Sequence, residues 1–334
     1  MRRVFSGIQP SGIPHIGNYL GALKNWIALQ NTESALPPIY CIVDLHALTT
    51  LSGHPQQLRQ LTIESTASLL ACGLDPKKSI IFKQSSIHHH TQLAWILSCI
   101  TSSGVLGRMN QWKSRQKTHN STLGLFSYPM LMCADILLYR STDVPVGDDQ
   151  IQHLELARNT AEIFNRTYET DFMKIAELIL PSESGACRVM SLREPLEKMS
   201  KSNQSEYSRI NLSDMPSVVK SKILRAVTDN ESRVSFEPDT RPGVSNLVSI
   251  YGSYSDKTIE MVCQEFEGKS THEFKIALHD LLIEKLYAYQ TEYQRIMEDK
   301  GYILNVLEQG RKQALEIADE NMKQILEMTG LSYN

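Results

Sequence analysis

Short apolar runs alternate with helix-period patterns over the first half of the chain. Val4-Phe5-Ser6-Gly7-Ile8 reads as a strand. A helix opens near Asn18, with Tyr19, Leu20, Leu23, Trp26 and Ile27 at helical spacing. Ile39 to Val43 reads as a second, buried strand. A helix follows over roughly residues 56–72, ending at Gly73, and Ser79 to Phe82 reads as a third strand. Strand, helix and strand in turn require parallel pairing through helical crossovers. The pattern therefore predicts an α/β fold with a doubly wound parallel sheet, whose ligands sit at the carboxyl ends of the strands. Residues 167–215 are mixed and broken by Pro181, Gly185 and Pro195. From about Pro216 the period is helical. Phe274, Leu278, Leu281, Leu282 and Leu286 share one face, and Ile303, Leu304, Leu307, Ala314, Leu315, Ala318, Met322 and Ile325 mark a later helix. This predicts a C-terminal helical domain packed on the α/β part.

Composition narrows the class. A chain of 334 residues suggests two domains and buries a core without metal or disulfide support. With 41% hydrophobic and 21% charged residues it is neither a disordered tail, a collagen-like rod nor a disulfide-stapled scaffold. No apolar run approaches the ~20 residues of a membrane-spanning helix. The net charge of −3 leaves nucleic acid open, because a local basic patch can act within a near-neutral whole. Cys41, Cys72, Cys99, Cys133, Cys187 and Cys263 lie far apart, which reads as free thiols in a reducing compartment. Met1-Arg2-Arg3 runs straight into the first strand, with no secretory signal pattern.

Four segments carry candidate chemistry. In Phe5 to Asn18 a strand leads through Gly7, Gly12 and Gly17 into a helix, beside His15 and Asn18. A helix start with free N–H groups suits a phosphate; a tight structural turn is the alternative. Lys198-Met-Ser-Lys-Ser202 sets two ammonium groups three residues apart, able to converge on a polyphosphate or simply to form a solvated basic loop. In Tyr128 to Tyr139, helical spacing puts Tyr128, Met132, Asp135 and Tyr139 on one face. Asp135 sits in an apolar context and needs a partner, either a protein donor or the N–H of a flat aromatic ligand. Val144 to Gln150, followed by His153, reads as strand end, turn and helix start; Asp148 or Asp149 caps that helix or holds ribose hydroxyls. His46 ends the second strand at the site rim, lining a pocket or capping the next helix. His88-His89-His90 is a poor metal motif, since adjacent histidines rarely face one ion.

The first segment resembles the HIGH motif of class I aminoacyl-tRNA synthetases, and Lys198 to Ser202 matches their KMSKS motif letter for letter. Ser6-Gly-Ile-Gln-Pro-Ser-Gly12, Gly17-Asn-Tyr-Leu-Gly-Ala22, Asp44-Leu-His-Ala-Leu-Thr49, Ala134-Asp-Ile-Leu-Leu-Tyr139 and Val144 to His153 are similar to the tryptophanyl-tRNA synthetases. Ala226-Val-Thr-Asp229 and Arg241 to Asn246 continue the likeness. The resemblance implies a Rossmann-like catalytic domain over residues 1–190, a KMSKS loop and linker over 191–215, and a helical anticodon-binding domain over 216–334, in a homodimer. It implies ATP with Mg²⁺ as substrate, no tightly bound cofactor, and L-tryptophan and tRNA(Trp) as partners. Lys198, Lys201, His15 and Asn18 would be catalytic. Gln9, Pro10, Ser11, Gly17, Asn18, Gly147, Asp148, Asp149, Val189, Lys198, Met199, Ser200, Lys201 and Ser202 would hold ATP, Val189 through its backbone. Asp135 would accept the indole N–H, with Phe5, His46, Tyr128, Met132, Val144, Val146 and Gln150 completing the pocket. A tyrosine-specific relative, a nucleotidylyltransferase and a non-catalytic RNA-binding paralogue compete with this reading. Asp135 argues against the first, the KMSKS loop and C-terminal helices against the second, and the intact lysines against the third.

The chain departs from the family pattern at Asn203-Gln204, where Asp-Pro is common, and at His15, where bacterial members often carry threonine. Leu286-Tyr-Ala-Tyr-Gln290 lacks a usual proline. Ala71 to Pro76, Trp95 to Cys99 and Gln111 to Lys113 look more like mitochondrial members. The expected compartment is the mitochondrial matrix, with a bacterial cytoplasm as the alternative.

Overall fold

The computed structural model describes residues 2–32, 36–115, 121–145, 147, 150–179, 188–201 and 203–332. Three short strands, β1 (Phe5–Ile8), β2 (Ile39–Ile42) and β3 (Ile80–Lys83), pair in parallel, with Phe5 opposite Ile39 and Ile39 opposite Ile80. A second parallel pair joins β4 (Asp143–Pro145) to β5 (Glu177–Ile179). The parallel bridge between Val4 and Asp143 connects the two pairs, so the order runs β3-β2-β1-β4-β5. This is the Rossmann-type order, and it reverses direction between β1 and β4, where such sheets open a crevice. The sequence pattern locates β1, β2 and β3 to within a residue. It does not reveal β5, which is three residues long in an irregular stretch.

Every residue of β2 is buried, as expected for a central parallel strand covered on both faces. One face, with Phe5, Cys41 and Phe82, packs on α5 (His89–Ile100), α8 (Leu123–Leu137) and α9 (Ile151–Thr167). The other face, with Tyr40, Ile42 and Ile81, packs on Trp26 and on α4 (Pro55–Ala71). The last helix, α14 (Lys300–Met328), lies along β3 and contributes to both cores. Contact there is close: a Cβ on Gly310 would stand 1.9 Å from the Ile81 carbonyl oxygen. Covering the β3 edge in this way removes an unpaired strand edge. Leu304, one of the apolar positions that mark this helix in the sequence, is 56% exposed.

A third core is built by α10 (Pro216–Leu224), α11 (Pro242–Ser255), α12 (Ile259–Glu265) and α13 (Thr271–Glu298). It takes in Ile16 and Leu20 of the first helix, and Val189, Leu192 and Met199. The KMSKS segment is thus tied into a hydrophobic core through Met199. Two of the sequence motifs serve this region. Asn246 of α11 receives the Met190 N–H on Oδ1 and donates from Nδ2 to the Met190 carbonyl, both at 2.9 Å. Arg241 forks onto Asp229 at 3.0 and 2.8 Å. Among the described residues the five cysteines are free, with Cys187 outside them, and no helix is long and apolar enough to cross a membrane.

Candidate active site

The carboxyl ends of β1 and β4 open into a cavity of about 780 Å³, at the point where the strand order reverses. Its upper wall is the helix start that follows β1. That helix begins at Ile16, two residues earlier than the periodicity suggests, because His15 caps it. His15 Nδ1 accepts the Asn18 N–H at 3.2 Å, and Asn18 Oδ1 accepts the His15 N–H at 3.1 Å. This reciprocal cap satisfies two end groups of the helix and fixes the imidazole proton on Nε2. Burial, with Lys201, Arg209 and Lys198 nearby, drives the His15 pKa down to about 3, so the ring is neutral. One turn later the helix widens into a π-turn over Tyr19–Leu23, with the Lys24 N–H reaching the Tyr19 carbonyl. Gly21 and Ala22 of that turn, which the sequence reading did not single out as site residues, join the cavity wall.

The KMSKS segment closes over this helix start. Residues 190 and 198 form an antiparallel bridge, and the Met199 N–H donates to the Val189 carbonyl at 3.1 Å. Gly17 makes the approach possible. A Cβ there would stand 2.9 Å from His15 Nδ1 and 3.4 Å from Met199 Cβ. Lys201 Nζ donates to the Ser11 carbonyl at 3.0 Å, to Ser11 Oγ at 3.1 Å and to the Gly12 carbonyl at 3.1 Å. Burial, reinforced by Arg209, lowers its pKa to about 8. Lys198, Lys201, Ser200, Gln9, Ser11, His15 and Asn18 all face one end of the cavity. That end offers two ammonium groups and a helix N-terminus, the equipment for a polyphosphate.

Away from the lysines the wall is largely apolar, with Phe5, Val43, Met132, Ile136 and Val144. Asp135, 2% exposed, stands in this wall. Its Oδ2 accepts from His46 Nε2 at 2.8 Å; Oδ1 accepts from His90 Nδ1 at 2.7 Å; Gln84 Nε2 spans both oxygens at 2.7 and 2.9 Å. Burial alone would raise its pKa, but the hydrogen bonds from His46 and His90 outweigh that and hold it below the usual carboxylate range. A charged carboxylate therefore lies in an apolar slot. Tyr128, across the cavity, donates to Gln111 Oε1 at 2.6 Å and pairs with His153 Nε2 at 2.7 Å. A site with two lysines beside a helix start and a buried acceptor among apolar walls can take a nucleotide together with an aromatic molecule carrying a donor.

A family model described as class I tRNA synthetases (W and Y) matches residues 1–287. A tryptophan–tRNA ligase of Caldanaerobacter subterraneus subsp. tengcongensis is 44% identical over 99% of both chains, and that of Rickettsia conorii is 42% identical over 98% of both. The chain belongs to the tryptophanyl-tRNA synthetase family. The crystal structure of the Mycoplasma pneumoniae synthetase superimposes with a TM-score of 0.90 at 32% identity, over 99% of this chain and 98% of that one. The Campylobacter jejuni synthetase, complexed with ADP and tryptophan, gives 0.83 at 32% identity, over 98% and 99%. These relatives are bacterial, and they do not support the mitochondrial assignment drawn from Ala71 to Pro76 and the Trp95 and Gln111 segments.

Of the residues that the family resemblance proposes, sixteen line the cavity: Phe5, Gln9, Ser11, His15, Asn18, His46, Tyr128, Met132, Asp135, Val144, Gly147, Gln150, Lys198, Met199, Ser200 and Lys201. Pro10, Gly17 and Val189 do not reach its wall. Gly17 is a spacer between His15 and Met199, and Val189 is buried in the third core with its carbonyl taken by Met199. Val146, Asp148, Asp149 and Ser202 lie outside the described residues. Tyr139, expected on the same helical face as Asp135, falls beyond the end of α8 and stacks on Phe5 from behind, with ring centroids 5.6 Å apart. Of the open alternatives, His46 lines the cavity, and the partners of Asp135 in this structure are protein donors. Sequence reasoning missed Gln84, His90 and Gln111. Gln84 had a signal, being a polar residue just past the carboxyl end of a buried strand.

Proposed function

We propose that this protein is a tryptophan–tRNA ligase that joins L-tryptophan to the terminal adenosine of tRNA(Trp) at the expense of ATP. One observation carries the reading: a single cavity unites the two KMSKS lysines with a buried, charged acceptor among apolar walls. In the first step a tryptophan carboxylate oxygen attacks the α-phosphorus of ATP. The bond from that phosphorus to the bridging oxygen breaks, leaving tryptophanyl-adenylate and pyrophosphate. Mg²⁺ enters with ATP as part of the substrate. In the second step the ribose 2′-hydroxyl of the tRNA takes the acyl group, and AMP departs.

The residues act by placement and charge. Lys198 and Lys201 counter the charge that builds on the phosphates; for Lys201 this means exchanging Ser11 and Gly12 oxygens for phosphate oxygens. His15, neutral with its proton on Nε2, acts as a hydrogen-bond donor and a cap rather than as an acid or base. Asn18, Gln9 and Gly147 face the nucleotide, with Asp148 and Asp149 assigned to its ribose and the Val189 backbone to its adenine. Asp135 accepts the indole N–H through Oδ2, while Tyr128 and Gln150 face the amino-acid backbone. Residues 216–334 supply the tRNA anticodon contacts. Two copies assemble, and Trp95 on α5 and Leu123 at the start of α8, 72% and 78% exposed, are among the exposed apolar side chains available to such an interface. The bacterial relatives favour a cytoplasmic enzyme of bacterial type.

The test is tRNA charging with purified protein, ATP and Mg²⁺. Tryptophan on tRNA(Trp), with no tyrosine transferred, is the expected product. Tyrosine on tRNA, or tRNA binding without charging by either amino acid, would overturn the proposal.

A further inference from the structure

Two of the three side chains that hold Asp135 do not themselves reach the cavity. Gln84 and His90 are both 0% exposed and absent from its wall. Each is oriented by a further bond that leaves it one way to point. Gln84 Oε1 accepts the Leu45 N–H at 3.1 Å, so Nε2 must face Asp135. His90 Nε2 pairs with the Tyr139 hydroxyl at 2.9 Å. Burial raises the Tyr139 phenol well above its ordinary range, so that hydroxyl keeps its proton and donates it. His90 then carries its own proton on Nδ1, which donates to Asp135 Oδ1. Oδ1 is thereby saturated by residues behind the wall. Oδ2 meets His46, which lines the cavity, and the longer branch of Gln84. Each carboxylate oxygen thus meets two donors, and His46 on Oδ2 is the one among them that stands in the cavity wall, so Oδ2 is the oxygen on the ligand's side.

We infer that Gln84 and His90 are positioning residues for tryptophan recognition, clamping Oδ1 so that Oδ2 alone presents a fixed acceptor to the ring N–H. The inference rests on the reading that Asp135 accepts that N–H. Tyr139 extends the clamp, because the ring that orients His90 also stacks on Phe5, whose other side forms the slot. A preorganised acceptor distinguishes a ring with N–H from one without, because an unfilled buried acceptor is costly.

The experiment compares ATP–pyrophosphate exchange with tryptophan and with 3-benzothienylalanine, in which sulfur replaces the ring N–H. In Gln84→Met and His90→Phe, KM for tryptophan should rise roughly 10- to 100-fold, the effect of losing a well-placed bond to a charged group. KM for the analogue, KM for ATP and kcat should stay within about twofold, so the preference collapses. His90→Asn, which retains a donor near the Nδ1 position, should recover most of it. Equal rises for both amino acids, or an unchanged preference, would overturn the inference. Asp135→Asn separates the two levels. If it abolishes the preference while Gln84→Met keeps it, only the clamp is wrong; if the preference survives Asp135→Asn, the underlying reading falls and the clamp with it. Gln84→Met leaves the His90–Tyr139 bond intact and decides the matter even if His90→Phe does not fold.

Discussion

Replacing Asp135 by alanine removes an acceptor that serves three buried donors at once. His46 Nε2, His90 Nδ1 and Gln84 Nε2 lie 2.7–2.9 Å from it in the folded protein. Leaving a buried donor unpaired costs about 1–3 kcal/mol, and removing one member of a buried charged group typically costs about 3–5 kcal/mol in all. The variant is therefore expected to unfold several degrees below the wild type in thermal denaturation. The effect on activity is separate. The bond from the indole N–H to a charged oxygen contributes about 1.5–3 kcal/mol, which corresponds to a roughly 10- to 150-fold rise in KM for tryptophan. The proposed function places ATP at Lys198, Lys201 and the helix start at Ile16, away from Asp135, so its KM should change little. Steady-state ATP–pyrophosphate exchange, run below the variant's unfolding temperature, reads both constants. Equal losses for tryptophan and ATP would refute the role assigned to Asp135, because a merely loosened fold weakens both sites alike.

Four further outcomes are expected. The Lys201 pKa of about 8 means that its ammonium loses its proton as pH rises through 8; kcat/KM for ATP should fall on that limb, and Lys201→Arg should move the limb to higher pH. The depressed pKa of Asp135 gives stability that is present above the ordinary carboxylate range and lost as pH falls below it, so the stability gap between wild type and Asp135→Ala should narrow in acid melts toward pH 3. Gly310→Ala drives a methyl group into the Ile81 carbonyl oxygen, 1.9 Å away before relaxation, and should cost about 1–3 kcal/mol in urea unfolding. Trp95→Asp should shift the particle from dimer to monomer in sedimentation, and an unchanged mass would take this face of α5 out of the interface.

What could be read from the sequence followed the strength of the local signal. The strands Ile39–Ile42 and Ile80–Lys83 centre on short apolar runs, and Phe5–Ile8 stands just ahead of the glycine-rich turn, so their positions and parallel pairing were legible. The helix after β1 was legible except at its start, because histidine is an uncommon cap and nothing local announces that Asn18 will reach back to it. The order of β4 and β5 depends on pairing across more than 130 residues, and β5 has too few residues to show a period. In the site, the KMSKS letters and the loop glycines stood out because contact with phosphate demands particular residue types at fixed spacing. Asp135 stood out as a carboxylate among apolar neighbours. Gln84 and His90 did not, because their function comes from where the ends of β3 and the start of α5 meet α8.

ATP–pyrophosphate exchange by the wild-type protein, without tRNA and with tryptophan, tyrosine and phenylalanine offered separately, bears most directly on the central claim. Exchange with tryptophan, and none with the other two, is the expected result. Exchange with tyrosine, or none with any amino acid from protein that still binds ATP, would contradict it.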